Sequence, residues 1–168
     1  MSNIYLVGFM GTGKTETAKL LAKQLKRAFI DMDDLIEAKE KMLISEIFKA
    51  RGEPYFRKVE KEAVVELANK TGLVIACGGG TFAQQDNIEL MKRSGIVICL
   101  TSRPETILRR TQLSIHRPLL SVTDPKSRIE ELLKQREPFY AQAHYTIDAD
   151  QLSVAQTAQE ALSCLKLK

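Results

Sequence analysis

The chain has 168 residues, 44% of them hydrophobic and 27% charged, which predicts one globular domain over residues 1–168. Its formal net charge of +4 comes with no Lys/Arg run and few aromatics, a balance that argues against nucleic acid and for small anionic ligands. No apolar run approaches the ~20 residues needed to span a membrane, and Met1 leads directly into a strand pattern, which leaves no room for a signal peptide.

Ile4–Val7 reads as the first strand. It opens into Gly8-Phe9-Met10-Gly11-Thr12-Gly13-Lys14-Thr15, and a helical pattern follows from Glu16 to about Lys26 with Ala18, Leu21, Ala22 and Leu25 on one face. Strand, loop and helix in this order are the context that the P-loop signature requires. Glycines at 8, 11 and 13 let the backbone curl so that successive N–H groups point inward at an anion, and the helix adds its positive end. The loop through Gly11, Thr12 and Gly13 would cradle a triphosphate, Lys14 would bridge its β- and γ-phosphates, and the Thr15 hydroxyl would sit on Mg²⁺. The chain is therefore expected to bind a nucleoside triphosphate.

Ala28-Phe29-Ile30 forms a second strand signal that ends in Asp31-Met32-Asp33-Asp34. Residues two apart in an extended segment point the same way, so Asp31 and Asp33 are expected to face one crevice. Phosphoryl transfer to a hydroxyl uses one acid on Mg²⁺, usually through water, and another to orient or deprotonate the acceptor. Capping of the next helix is the plainer role for either aspartate, and Asp34 fits it too. Helical patterns then cover Leu35–Lys41, Ile44–Ala50 and Glu53–Lys70, closed by Asn69-Lys70-Thr71-Gly72. In the last of these Arg57 has Glu60 three residues on, within reach of an ion pair.

Leu73–Cys77 and Ile96–Leu100 are continuous apolar runs, as expected of parallel strands buried on both faces. Cys77, Cys99 and Cys164 have neither disulfide nor zinc spacing and read as buried, reduced thiols of a cytoplasmic protein. The first run ends in Gly78-Gly79-Gly80, where many P-loop proteins carry a metal-binding acid; none is present, which moves that duty toward Asp31. Taken alone the three glycines read as a flexible strand-to-helix loop; the sharper alternative is backbone N–H groups that approach a ligand closely. A helix from Gln85 to Arg93 leads to the second apolar run, and Pro104 starts another that reaches about Thr111. Its end carries Arg109 and Arg110, where cations suit the helix dipole; stacking of Arg110 on adenine is the sharper alternative. Gln112–Asp124 shows no clean period and reads as a mobile lid loop, from which Arg117 would reach the transferring phosphoryl group.

A helix from Pro125 is expected to end near Pro138, with Phe139–Ala143 as a continuation after a break, and it carries Arg136. Like Arg57, Arg136 offers a planar fork that suits a carboxylate, but spacing alone does not join the two. His144–Asp148 makes a last strand and Leu152–Leu165 a last amphipathic helix. The alternation predicts an α/β fold, a parallel sheet covered by helices on both sides with right-handed crossovers. In such folds ligands gather at the carboxyl ends of the strands. The loop after the first strand, Asp31–Asp33 and Gly78–Gly80 are therefore expected to share one crevice.

These residues together resemble the shikimate kinases, over essentially the whole chain. The resemblance rests on Gly8–Thr15, Phe29-Ile30-Asp31-Met32-Asp33, Gly52-Glu53 through Phe56-Arg57, the triple glycine, Arg117-Pro118-Leu119-Leu120, and Arg136 followed by Pro138 and Tyr140. It implies a P-loop, nucleoside-monophosphate-kinase-like fold: a five-stranded parallel sheet flanked by helices, a lid at 112–124 and a small helical substrate subdomain at 33–60. The implied reaction moves the ATP γ-phosphate to the 3-hydroxyl of shikimate, a step of aromatic amino-acid biosynthesis, in a cytoplasmic monomer that uses Mg²⁺.

Carried over position by position, the resemblance makes Asp33 the shikimate-hydroxyl ligand and base, acting with Lys14 and Arg117. Arg57 and Arg136 become a carboxylate clamp assisted by backbone groups at Gly79 and Gly80. ATP would meet Gly11 to Glu16, Arg110 and Arg117, while Mg²⁺ would meet Thr15 directly and Asp31 through water. The departures keep the needed groups: Thr12 and Thr15 stand where serine is frequent, Ala18 replaces a common glycine, Cys77 replaces Thr or Ser, and Glu16 lies unusually near the triphosphate. A GTPase would need Asn-Lys-x-Asp, and Asn69-Lys70-Thr71-Gly72 lacks the final aspartate. A nucleotide or gluconate-type kinase shares the fold but not the triple glycine with this arginine pair. A regulatory module without transfer activity would be expected to lose an acceptor-side residue, and Asp33, Arg57 and Arg136 are all present.

Overall fold

Alternate side chains of the central strands enter two separate apolar layers, which is why those strands read as unbroken hydrophobic runs. The computed structural model describes residues 1–111 and 123–166; Arg117 and all but the last two residues of the expected lid lie outside them. Strands β1 (Asn3–Gly8), β2 (Ala28–Asp31), β3 (Leu73–Ala76), β4 (Gly95–Thr101) and β5 (Tyr145–Asp148) form one parallel sheet in the order β2-β3-β1-β4-β5. Tyr5 in β1 pairs with Ile75 on one side and Val97 on the other, so β1 is central. The chain moves from β1 out to β2, returns through β3, and then crosses to β4. That reversal puts the loop after β1 at the switch point where open α/β sheets bind ligands.

On one face Tyr5, Val7, Ile75, Cys77, Val97 and Cys99 pack under α2 (Met32–Glu40), α3 (Ile44–Ala68), α4 (Gln85–Ser94) and α6 (Pro125–Tyr140). On the other, Ile4, Leu6, Val74, Ala76, Ile98 and Leu100 pack under α1 (Lys14–Leu25) and α7 (Val154–Lys166). The remaining helix, α5 (Pro104–Thr111), sends Ile107 into the first layer. A buried side chain ties the sheet to α3: Asn3 Nδ2 donates to Leu67 O and Lys70 O, each at 2.9 Å, and Asn3 Oδ1 accepts from Leu73 N at 3.0 Å. No helix among the described residues is long and apolar enough to cross a membrane. All three cysteines are free thiols; Cys77 and Cys99 are buried as expected, with burial pushing the Cys99 thiol up to about 12, whereas Cys164 on the outer helix α7 is only half-buried.

Three boundaries differ from the sequence expectation. Helix α2 starts at Met32, because the Asp31 side chain accepts from Asp33 N at 2.9 Å and caps it. Asp33 therefore sits in a first helical turn and not in an extended strand end, so the alternation argument for the aspartate pair does not apply. The segments expected at 44–50 and 53–70 join as α3, bent at Gly52, where φ is 78° and ψ 172°. Helix α6 runs through Pro138 to Tyr140. The proline forfeits one backbone bond, but the extra turn buries Tyr140, whose hydroxyl donates to Gly79 O at 2.7 Å.

Candidate active site

The loop after β1 curls as its glycines predicted: Gly8, Gly11 and Gly13 all have positive φ, at 131°, 79° and 91°. Inside the curl, Thr12 Oγ1 and Lys14 Nζ each donate to Phe9 O at 2.8 Å. At the start of α1, Thr15 Oγ1 donates to Asp31 Oδ2 at 2.8 Å. Two hard oxygen donors, on elements distant in sequence, therefore stand side by side at the carboxyl edge of the sheet. That is a donor set suited to Mg²⁺, which takes one or two protein oxygens and leaves its other positions to phosphate and water. Among the described residues no cluster of three His, Cys, Asp or Glu offers a closed metal cage. Glu16, next in the chain, is exposed and pairs with Lys19 at 2.9 Å.

Beside the loop, the triple glycine gathers three charged side chains. A Cβ on Gly78 would lie 2.9 Å from both Asp33 Oδ1 and Glu60 Oε1, so both carboxylates converge on that backbone. Glu60 is 1% exposed, accepts from Arg57 Nη1 at 2.8 Å, and also takes the hydroxyl of Thr81. Glu53 holds the other edge of the same guanidinium, from Nη2 at 2.8 Å and Nε at 3.2 Å. Burial works against the charge of Arg57, but Glu60 and then Glu53 outweigh it and the guanidinium pKa is raised. A Cβ on Gly80 would come within 2.5 Å of Arg57 Nη1, so any side chain there would push the guanidinium from its place.

Arg136 approaches from α6. It is 7% exposed, donates from Nη1 to Gly79 O at 2.9 Å, and its guanidinium carbon lies 5.3 Å from the centre of the Phe9 ring. Tyr140 donates to the same carbonyl, and burial raises its phenol to about 12, which keeps it a proton donor at neutral pH. Arg57, Gly80 and Arg136 line one cavity of about 290 Å³. The two arginines that spacing could not join thus meet across the triple glycine. Arg110 reaches the phosphate loop, with Nη1 3.3 Å from Gly11 O. Sequence reasoning assigned no role to Thr81, Glu53 or Phe9. Only Glu53 left a signal, its place four residues before Arg57 on a helix.

The family model of shikimate kinase matches residues 10–166. The chain belongs to the shikimate kinase family. The shikimate kinase of Caldanaerobacter subterraneus subsp. tengcongensis is 47% identical over 169 residues, covering 100% of this chain and 99% of that one. A solved structure, the shikimate kinase of Acinetobacter baumannii in complex with shikimate, is 42% identical with a TM-score of 0.96, covering 99% and 94% of the two chains. A gluconokinase from Sinorhizobium meliloti, at 16% identity and a TM-score of 0.65, shares the fold alone. As a shikimate kinase family member the protein is a transferase that uses ATP. The nucleotide or gluconate-type alternative has no comparable support.

Proposed function

We infer that this protein transfers the γ-phosphoryl group of ATP to the 3-hydroxyl of shikimate, giving shikimate 3-phosphate and ADP. The observation that carries the reading is the meeting of Arg57 and Arg136 on one cavity at Gly80, next to the phosphate loop. Two guanidiniums at fixed positions select a planar carboxylate, and Asp33 at Gly78 supplies the base for a hydroxyl on the same small ring.

In this reading the curled backbone from Gly8 to Thr15 holds the triphosphate, and Lys14 leaves Phe9 O for the β- and γ-oxygens. Asp33 orients the acceptor hydroxyl and takes its proton as the new O–P bond forms. Glu60 and Glu53 keep Arg57 charged and aimed, while Arg136 and Tyr140 fix the carbonyl of Gly79. Bound Mg²⁺ neutralises charge on the phosphate oxygens; Thr15 would hold it directly and Asp31 through water. Arg110 and Arg117 would meet the nucleotide, with residues 112–124 as lid and 33–60 as the substrate subdomain. The reading takes the protein as a cytoplasmic monomer, and three free cysteines suit a reducing cytoplasm.

A coupled ADP-release assay with shikimate, quinate, gluconate and nucleoside monophosphates side by side tests the substrate; only shikimate should turn over efficiently. Arg136→Lys keeps the charge but loses the fork. It should lower kcat/KM for shikimate about ten- to a hundredfold, the worth of one charge-assisted hydrogen bond. Shikimate methyl ester should be a poor substrate and lose less. Equal sensitivity of acid and ester would remove the clamp.

A further inference from the structure

The cavity holding Arg57 and Arg136 has a third guanidinium on its wall, that of Arg128. On α6 the residues Arg128, Leu132, Gln135, Arg136 and Phe139 all line this cavity. Their spacing places them on one helical stripe. Arg128 lies eight residues before Arg136, which is about 12 Å along the helix axis. It stands near the mouth and Arg136 deeper. Burial agrees: the Arg128 side chain is 33% exposed and Arg136 as a residue 7%. Against these three guanidiniums the described residues of the cavity wall hold one carboxylate, Glu53, and that one is bound to Arg57. Arg128 pairs with Glu131 at 2.7 Å through Nη1. A half-exposed pair of this kind is weak and easily exchanged.

We propose that Arg128 is a recruitment and specificity residue for the anionic acceptor: it concentrates the carboxylate at the cavity mouth and takes no part in phosphoryl transfer. The proposal rests on the carboxylate-clamp reading above. Two unit charges about 12 Å apart in water interact enough to change occupancy roughly twofold. Reversal of the charge doubles that energy, so Arg128→Glu is expected to act at about two- to threefold where salt is low. The effect is electrostatic and long-ranged, so it must fade as the Debye length shrinks.

Steady-state rates with shikimate and with shikimate methyl ester should be measured for the native protein, Arg128→Glu, Arg128→Gln and the control Arg93→Glu. Arg93 is an exposed cation in the last turn of α4, at the opposite edge of the sheet from the cavity. In buffer of about 20 mM ionic strength, Arg128→Glu should raise the shikimate KM about two- to threefold with kcat and the ATP KM unchanged. Arg128→Gln should lie between it and the native protein, and Arg93→Glu should match the native protein. Near 1 M salt the difference should vanish, and the ester should show none at either salt. A loss that persists at high salt, or that is equal for acid and ester, would mean a packing role and overturn the proposal. So would an unchanged KM at low salt while the native protein prefers acid to ester. A native protein that treats acid and ester alike would overturn the clamp itself, and the recruitment role with it.

Discussion

The Thr15 hydroxyl donates to Asp31 Oδ2 at 2.8 Å and fastens the phosphate loop to the end of β2. The other oxygen of the same carboxylate accepts from Asp33 N at 2.9 Å and caps α2. One side chain therefore ties down both the Thr15 hydroxyl and the helix turn that carries Asp33.

Substitution at Asp31 should separate these two duties. Asparagine caps helices about as well as aspartate, so Asp31→Asn should leave stability nearly unchanged, whereas Asp31→Ala should cost about 1 kcal/mol in urea unfolding. Both variants should raise the Mg²⁺ concentration that gives half-maximal rate. An unaltered Mg²⁺ requirement in Asp31→Asn would take Asp31 out of the metal site.

Glu60 is buried between Arg57 and Thr81. Glu60→Gln keeps the shape but drops the charge that holds the guanidinium. Exchange of a charge-assisted bond for a neutral one should raise the shikimate KM about five- to tenfold, with a loss of about 1–3 kcal/mol in stability. The ATP KM should not move. A parallel rise in both constants would point to general loosening instead of loss of aim at Arg57.

Asn3 closes three backbone groups at the junction of α3 and β3, far from the crevice. Asn3→Ala should destabilise the fold by about 2–3 kcal/mol, since buried partners are left unsatisfied. Its kinetic constants should equal those of the native protein at temperatures where it stays folded. Denaturant titration and initial rates on the same preparation check both halves of this expectation.

Asp150, in the loop after β5, accepts from the backbone N–H of Arg103 at 2.9 Å and from Arg103 Nε at 2.7 Å. The backbone bond from Arg103, with further help from Thr106 and Gln151, holds its carboxyl well below the usual range. A lowered folded-state pKa stabilises the fold above the unfolded value, near 3.9, and that contribution fades as pH falls toward the folded value. Asp150→Asn should thus be less stable than the native protein at pH 7, and the gap should narrow below about pH 4. A gap that stays constant down to pH 3 would contradict the ionic role.

Local chemistry was legible where a short stretch contains both the cause and its effect. The phosphate loop could be read because three glycines, a lysine and a threonine act within eight consecutive residues. The buried strands were plain because both faces of a parallel sheet are apolar. The start of α2 was misplaced because apolar period marks the middle of a helix, while a single side-chain bond at Asp31 decides its first turn.

By itself, then, the sequence determined the alternating α/β order, the anion-binding loop, the aspartates beside it and, through family resemblance, the reaction to expect. Only the tertiary structure decided that Arg57 and Arg136 share a cavity, that Glu60 and Glu53 hold the first while Tyr140 shares a carbonyl with the second, and that Arg128 stands in the same wall. The reason is physical. Helices α3 and α6 meet at the triple glycine through packing, and a contact between distant segments imposes no period or spacing on the residues that make it.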